Sequence, residues 1–169
     1  MFSTKEILKT MEDRGYPVFR NGSKNYNLNL IGIRTSDDDS NTFNDFLVVL
    51  WFHKGQWHRK DYKITTDPGV YYREDPLNVF GTAILCEGHQ KGLWKLGAHQ
   101  GKYKALVQRG IAKVYRDNNK DEILDAREDT IQAGYYGINC HRASAHRTST
   151  QVDRWSAGCQ VHADPIGYD

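Results

Sequence analysis

The stretch FLVVLWF, residues Phe46–Phe52, is the longest uninterrupted apolar run in the sequence, and it decides the fold class. At seven residues it is far shorter than the roughly 20 that a membrane-spanning helix needs. Its valine and aromatic side chains favour a buried strand, and Gln56–Ile64 is also typical of a strand. The most hydrophobic part of the chain therefore predicts β-structure.

The segments on either side continue this pattern, with strand-forming stretches separated by clusters of Gly, Pro, Asn and Asp. The further predicted strands are Leu28–Arg34, Thr82–Cys86, Leu93–Leu96, Tyr103–Val107, Ile111–Arg116, Tyr135–Arg142 and Gly158–Ala163. Ser3 and Glu6 have capping-box spacing, which predicts a short first helix, and a second helix is predicted over Asp121–Gln132. The expected fold class is mainly β with a few short helices (α+β).

Size and composition favour one folded domain. The 169 residues (19.4 kDa) match a single ordinary domain, and the 12% aromatic content is typical of a folded chain. We find no internal repeat or linker, so we predict one catalytic domain over residues 1–169, which is also compatible with a fragment of a longer chain.

Charge and targeting signals exclude several classes of partner. The 23 Lys and Arg residues nearly balance the 21 Asp and Glu residues, so no nucleic-acid partner is expected. The sequence has neither a secretory signal pattern nor an apolar run long enough to span a bilayer, so no membrane insertion is expected. Three cysteines, an odd number, argue against a disulfide framework and leave at least one free thiol. Composition does not determine the oligomeric state.

Two segments near the C-terminus carry the residues of thiol chemistry: GINCHR at Gly137–Arg142 and RWSAGCQV at Arg154–Val161. Strand alternation predicts that Cys140 faces the core while His141 is exposed on the other face. His141 precedes Cys159 by 18 positions, and the polar segment between them is long enough to bring both to one cleft. An imidazole beside a thiol lowers the barrier to forming the thiolate nucleophile.

The glycine before Cys159 adds a further element of acyl-transfer chemistry. Gly158 permits a tight backbone turn beside the nucleophile. In such a turn, the backbone N–H groups of Gly158 and Cys159 are expected to hold the developing oxyanion.

His141, a spacer of fourteen residues and Ser156-x-Gly158-Cys159 resemble the signature of the L,D-transpeptidase (YkuD-type) family. The resemblance covers Ile138–Val161 and implies a β-sandwich catalytic fold acting on peptidoglycan stem peptides, with no required cofactor. It implies that Cys159 is the nucleophile and His141 the base, and that Ser156 shapes the turn.

In that family the thiolate attacks the third residue of a tetrapeptide stem and expels D-Ala, and the acyl group passes to an amine or to water. The expected activity is therefore that of an L,D-transpeptidase, L,D-carboxypeptidase or endopeptidase. The chain resembles phage-encoded or otherwise divergent members of the family, and its expected place of action is the bacterial cell wall after synthesis in the cytoplasm.

Two departures from the family pattern stand beside the nucleophile. Ala157 replaces the usual His, and Gln160-Val161 replaces the usual aliphatic-Arg pair. For substrate contacts we expect Arg142 and Arg154, which suit carboxylates, and Trp155, which adjoins the motif.

Two hypotheses other than this catalytic one remain open. Cys140, His146, Cys159 and His162 supply zinc-type ligands, which would make the domain zinc-stabilised. A non-catalytic cell-wall-binding or virion structural module would keep the motif without activity. GAHQG at Gly97–Gly101 offers a histidine for the lining of a cleft, but it precedes no helix, and a hairpin turn is the favoured interpretation.

A structural calcium site is one interpretation of the acidic segment upstream of the motif, and an acidic turn followed by a helix start is the other. Oxygen-bearing side chains occupy positions 1, 3, 5, 9 and 12 of a twelve-residue calcium loop. These residues are Asp117, Asn119, Asp121, Asp125 and Glu128. Position 6, where such loops need Gly, is Glu122.

Overall fold

The computed structural model describes residues 2–21, 27–37, 40–121 and 123–168, and within these residues the chain is mainly β. The strands are β1 Asn29–Ile33, β2 Asp45–His53, β3 Gln56–Thr65, β4 Thr82–Leu85, β5 Trp94–His99, β6 Tyr103–Gln108, β7 Ala112–Asp117, β8 Gln132–Gly134, β9 Cys140–Arg142 and β10 Gln160–His162. The helices are α1 Thr4–Asp13, α2 Val70–Glu74 and a 3-10 turn at Glu128–Thr130. The predicted fold class, mainly β with a few short helices, is confirmed at this level.

The strands form two sheets. The larger has seven strands in the order β1-β2-β3-β10-β9-β6-β5, and the smaller has the order β4-β7-β8. The pairs β1–β2, β3–β10, β6–β9, β5–β6, β4–β7 and β7–β8 are antiparallel, whereas β9 and β10 run parallel. None of the described helices has the length and apolar character needed to cross a membrane.

The chain divides into two compact units, Met1–Ile33 with Phe46–Tyr62 and Arg34–Asp45 with Lys63–Asp169. In the first unit α1 begins at the predicted capping box, where the Ser3 amide donates to Glu6 Oε2 (2.7 Å) and the Glu6 amide to Ser3 Oγ (3.2 Å). Its apolar face, with Ile7 and Leu8 buried, packs in one cluster with Val48 and Leu50 of β2.

The second unit contains the motif residues and has two apolar clusters. One includes Val152 and Val161 with Cys159 packed against it. The other includes Ala83, Val114 and Ile138, with Tyr136 packed against it. Both clusters lie beside the segments that carry the thiol motif, so core packing fixes where those segments lie.

The predicted helix over Asp121–Gln132 is wrong. The described part of this segment holds only the 3-10 turn and β8, and Glu122 lies outside the described residues. The Asp121 amide donates to Asn119 Oδ1 (3.2 Å) and the Ile123 amide to Asp121 Oδ1 (2.8 Å). The Asp125 amide, which a helix beginning at Asp121 would bond to the Asp121 carbonyl, donates instead to Asp117 Oδ2 (3.3 Å).

The predicted strand over Tyr135–Arg142 is correct only for its last three residues, which form β9. The amides of Tyr136 and Ile138 donate to the Gln108 side-chain oxygen (3.0 and 2.9 Å) instead of to a strand ladder. Gly137 between them has φ +71°, a left-handed value that breaks the extended run. The β10 strand likewise begins only at Gln160, after a turn.

Candidate active site

Parallel pairing of β9 and β10 brings the two halves of the motif together. Val161 pairs with His141, and the Gln160 amide donates to the Asn139 carbonyl (2.8 Å). Cys159 therefore lies beside Asn139, two residues before His141 on the neighbouring strand. Strand spacing and rise place the Cα atoms of such diagonal neighbours about 8 Å apart. This is the proximity that the sequence predicts.

Cys159 and His141 both line one cleft of about 490 Å³ in the second unit. The wall also includes Tyr72, Leu77, Asn78, Gly81, Thr82, Ala83, His99, Gln100, Arg116, Tyr135, Tyr136, Gly137, Ile138, Asn139, Arg154, Trp155 and Ala157. Of the other two cysteines, Cys140 is 2% exposed and Cys86 is 7% exposed, and neither lines this cleft. Cys159 is the thiol that a cleft ligand can reach.

The Cys159 thiol is half-buried between two backbone groups. Its Sγ lies 3.4 Å from the Gly137 carbonyl, to which the S–H donates, and it accepts from the Asn139 amide at 3.4 Å. Burial raises the pKa of Cys159 to about 11, and the Asn139 N–H opposes this shift. The resting side chain is therefore a neutral thiol with one hydrogen-bond donor available to its thiolate.

His141 is 3% exposed, so the prediction that it is exposed is wrong. It lies on β9, which β10 and β6 flank, and its ring stacks on the His99 ring with centroids 3.9 Å apart. The prediction that Cys140 is buried is confirmed, because this residue is 2% exposed.

The tautomer of His141 follows from its backbone contact. Nδ1 lies 2.8 Å from the Arg142 carbonyl, which only accepts hydrogen bonds, so Nδ1 carries the proton. Burial lowers the pKa of His141 to about 4, while that bond to Arg142 opposes the shift. The ring is therefore neutral at pH 7 and presents Nε2 as a proton acceptor.

Within the described residues no hydrogen bond joins Cys159 to His141 directly. Both groups are neutral and line the same cleft, so a preformed thiolate–imidazolium pair is not the resting state. The arrangement suits general-base catalysis, in which the proton leaves the thiol as the substrate is attacked.

Ser156 and Gly158 shape the turn before Cys159. Ser156 is fully buried, accepts from the Gly158 amide (3.1 Å) and donates to the Cys159 carbonyl (2.8 Å). Gly158 has φ +122°, and a Cβ there would lie 2.6 Å from the Ala83 carbonyl oxygen. The Gly158 N–H is already bonded to the Ser156 hydroxyl. Of the two expected oxyanion donors, the Cys159 N–H is therefore the one without an acceptor among the described residues.

The predicted substrate residues divide into two groups. Arg154 and Trp155 line the cleft; the Arg154 guanidinium lies over the Tyr71 ring at 3.9 Å, and Trp155 is 44% exposed. Arg142 does not line the cleft, because its guanidinium packs over the Tyr103 ring at 4.2 Å.

Sequence reasoning missed Arg116 as a cleft residue. It is only 6% exposed and lies over the Tyr136 ring at 4.4 Å, with neutral acceptors at Gln132 Oε1 (3.0 Å) and the Gly81 carbonyl (3.3 Å). Its Nη2 has no acceptor among the described residues. Arg116 lies in a predicted strand, and no motif in the neighbouring sequence identifies it as a cleft residue.

The calcium prediction gains no support from the described geometry. Asn119 donates its amide to Asp121 (2.8 Å) and to Asp125 (3.0 Å), and the Arg73 guanidinium lies 4.0 Å from Asp117 and 3.7 Å from Asp121. Glu128 lies in the 3-10 turn. The carboxylates therefore face an amide and an arginine.

The zinc ligands do not converge either. Cys140 Sγ lies 3.5 Å from His162 Nε2, whereas Cys159 contacts backbone groups and His146 is exposed. Across the described ranges, no group of three or more His, Cys, Asp and Glu residues is placed to hold a metal ion.

No protein-family model, curated protein or solved structure matches this chain. The site itself consists of a cysteine and a neutral histidine in one cleft, a turn that presents the thiol, and two arginines in the cleft wall.

The pH dependence of Cys159 alkylation tests the neutral resting state. With a pKa raised from 9.0 to about 11, the thiolate fraction at pH 8 is about a hundredfold below that of a free thiol, and the greater nucleophilicity of a more basic thiolate recovers about tenfold. We expect iodoacetamide to modify Cys159 about tenfold more slowly than N-acetylcysteine at pH 8. The rate should still rise between pH 9 and 10, as followed by peptide mass mapping. A fast rate that is flat from pH 6 to 8 would instead reveal a preformed ion pair.

Proposed function

We propose that this protein catalyses cysteine-dependent acyl transfer or hydrolysis on peptidoglycan stem peptides, with the chemistry of an L,D-transpeptidase or related peptidase. The proposal includes the finer fold assignment, an L,D-transpeptidase-like β-sandwich. The choice of peptidoglycan rests on the resemblance of His141, Ser156, Gly158 and Cys159 to that family's signature.

A single observation carries the catalytic part of the proposal: a neutral His141 whose free Nε2 shares a cleft with the most accessible thiol. Its Nδ1 proton is held by the Arg142 carbonyl at 2.8 Å, which fixes the ring in the tautomer that a general base needs.

The proposed reaction proceeds in two steps. His141 Nε2 takes the Cys159 proton while Sγ attacks the carbonyl carbon of the third stem residue, and the Cys159 N–H stabilises the oxyanion. The scissile amide bond then breaks, and the leaving amine of D-Ala receives the proton from His141. A second amine or water attacks the thioester, which transfers the acyl group and regenerates the thiol.

The charge of the cleft supports an anionic acyl donor. Among its described lining residues there are two arginines, Arg116 and Arg154, and no aspartate or glutamate. Arg116 is buried and has no carboxylate within ion-pair distance in the described part of the chain. A buried charge without a counter-charge is costly, so a carboxylate-bearing ligand in the cleft would be favoured.

The direct test compares Cys159→Ala with Cys140→Ala on defined tetrapeptide and cross-linked muropeptides, with products identified by mass spectrometry. We expect Cys159→Ala to abolish release of D-Ala and formation or cleavage of cross-links. We expect Cys140→Ala to keep them, because Cys140 is buried and its pKa is raised to about 12 by burial.

Equal turnover by wild type and Cys159→Ala would refute the mechanism. Unchanged muropeptides with the wild-type protein would favour the alternative of a non-catalytic cell-wall-binding or virion structural module. Circular dichroism of each variant separates loss of chemistry from loss of fold.

The proposed role of the cleft charge is tested at Arg154, which lies on the surface and has no part in the core. Arg154→Gln should raise KM about three- to tenfold for a tetrapeptide with free carboxylates, since a charge-assisted hydrogen bond is lost. It should have little effect when those carboxylates are amidated. Arg127→Gln is the matched control, because Arg127 is exposed, pairs with Asp129 and does not line the cleft. Equal KM shifts for both peptide forms would contradict the role.

A further inference from the structure

His99 lines the cleft at the end of β5 but has no part in the proton transfer described above. The predicted hairpin turn is confirmed, with His99 paired to Tyr103 across it. The ring lies parallel to that of His141 within 20° and is half-buried. The groups around the ring determine which of its nitrogens carries the proton.

The orientation of the Asn139 side-chain amide is fixed by the backbone N–H of Gln108. Its Oδ1 lies 2.8 Å from the Gln108 amide, and a backbone N–H can only donate. The other end of the amide, Nδ2, therefore faces His99 Nδ1 at 3.1 Å. Nδ2 only donates, so His99 Nδ1 accepts, and the ring proton resides on Nε2.

This network also selects the neutral ring. A doubly protonated His99 would bring an Nδ1–H against the Asn139 N–H₂ group, so that two donors faced each other. Burial lowers the pKa of His99, and the nearby Lys102 lowers it further. The stacked rings are thus both neutral with opposite tautomers: His141 presents an acceptor nitrogen and His99 an N–H donor.

The His99 Nε2–H has no acceptor among the described residues. Since the ring lines the cleft and its other nitrogen is occupied by Asn139, this donor is available to a molecule bound beside Cys159. The tautomer with the proton on Nε2 is retained because protonation of Nδ1 would break the hydrogen bond from Asn139.

We propose that His99 is a substrate-binding residue whose Nε2–H donates a hydrogen bond to an oxygen of the bound acyl donor, a peptide carbonyl or carboxylate. The role rests on the proposed function, because it takes the acyl donor to be a peptide that Cys159 attacks. In this arrangement His141 accepts the thiol proton, and His99 orients the substrate.

Three variants separate this role from a structural one. His99→Phe keeps a flat ring against His141 but removes the donor, and we expect kcat/KM for the tetrapeptide to fall about tenfold, the value of one hydrogen bond. His99→Gln restores an N–H donor, so kcat/KM should return to within about threefold of wild type. His89→Phe is the control for the substitution itself, because His89 is exposed and does not line the cleft.

A second measurement does not depend on turnover. Nitrogen-15 NMR of the histidine rings in Cys159→Ala should show the proton on Nε2 of His99 and on Nδ1 of His141. Adding the tetrapeptide should then shift the His99 Nε2–H signal.

The outcomes distinguish the two proposals. A shifted His99 signal without wild-type turnover would keep this inference and overturn the proposed reaction. Normal turnover with unchanged kcat/KM in His99→Phe, equal loss in the Phe and Gln variants, or a proton on Nδ1 of His99 would overturn the inference alone. If no peptide binds Cys159→Ala and none is turned over, both are overturned.

Discussion

The parallel pairing of β9 with β10 is the constraint on which the candidate site depends. It sets Val161 beside His141 and brings Cys159 next to Asn139, whose carbonyl accepts from the Gln160 amide at 2.8 Å. A parallel neighbour requires a long connection, and that connection is held by Asn41, which accepts from the amides of Val152 (3.0 Å) and Asp153 (2.7 Å). Without this pairing, the two halves of the motif would be separate features of the sequence.

Burial determines the chemistry that this placement allows. It raises the pKa of Cys159 to about 11 and lowers that of His141 to about 4, so both groups rest in their neutral forms. Nucleophilic attack then requires proton transfer at the moment of reaction, which favours a bound substrate over solvent-borne reagents. The Asn139 side chain links the sheet to the cleft. It accepts from the backbone N–H of Gln108 in β6 (2.8 Å) and donates to the His99 ring (3.1 Å).

Local sequence patterns predicted most strands, the capping box at Ser3 and the inward face of Cys140, because each depends on neighbouring residues. These patterns failed where a side-chain oxygen from another segment accepts from backbone N–H groups that the predicted strand or helix would use. The Gln108 side chain accepts from the amides of Tyr136 and Ile138, and the Asp117 side chain accepts from the Asp125 amide, which the predicted helix would need. The burial of His141 and the stack with His99 depend on β5 and β6 reaching β9, which no local spacing reveals.

The central claim is that Cys159 becomes acylated by a stem peptide, and intact-protein mass spectrometry after rapid acid quenching tests it most directly. On mixing with a tetrapeptide stem, the account predicts a mass increase equal to the acyl tripeptide, mapped to Cys159, that is absent from Cys159→Ala and accumulates in His141→Gln only far more slowly. A protein that processes the tetrapeptide without any adduct on Cys159, or an adduct that maps to Cys86 or Cys140, would contradict the account.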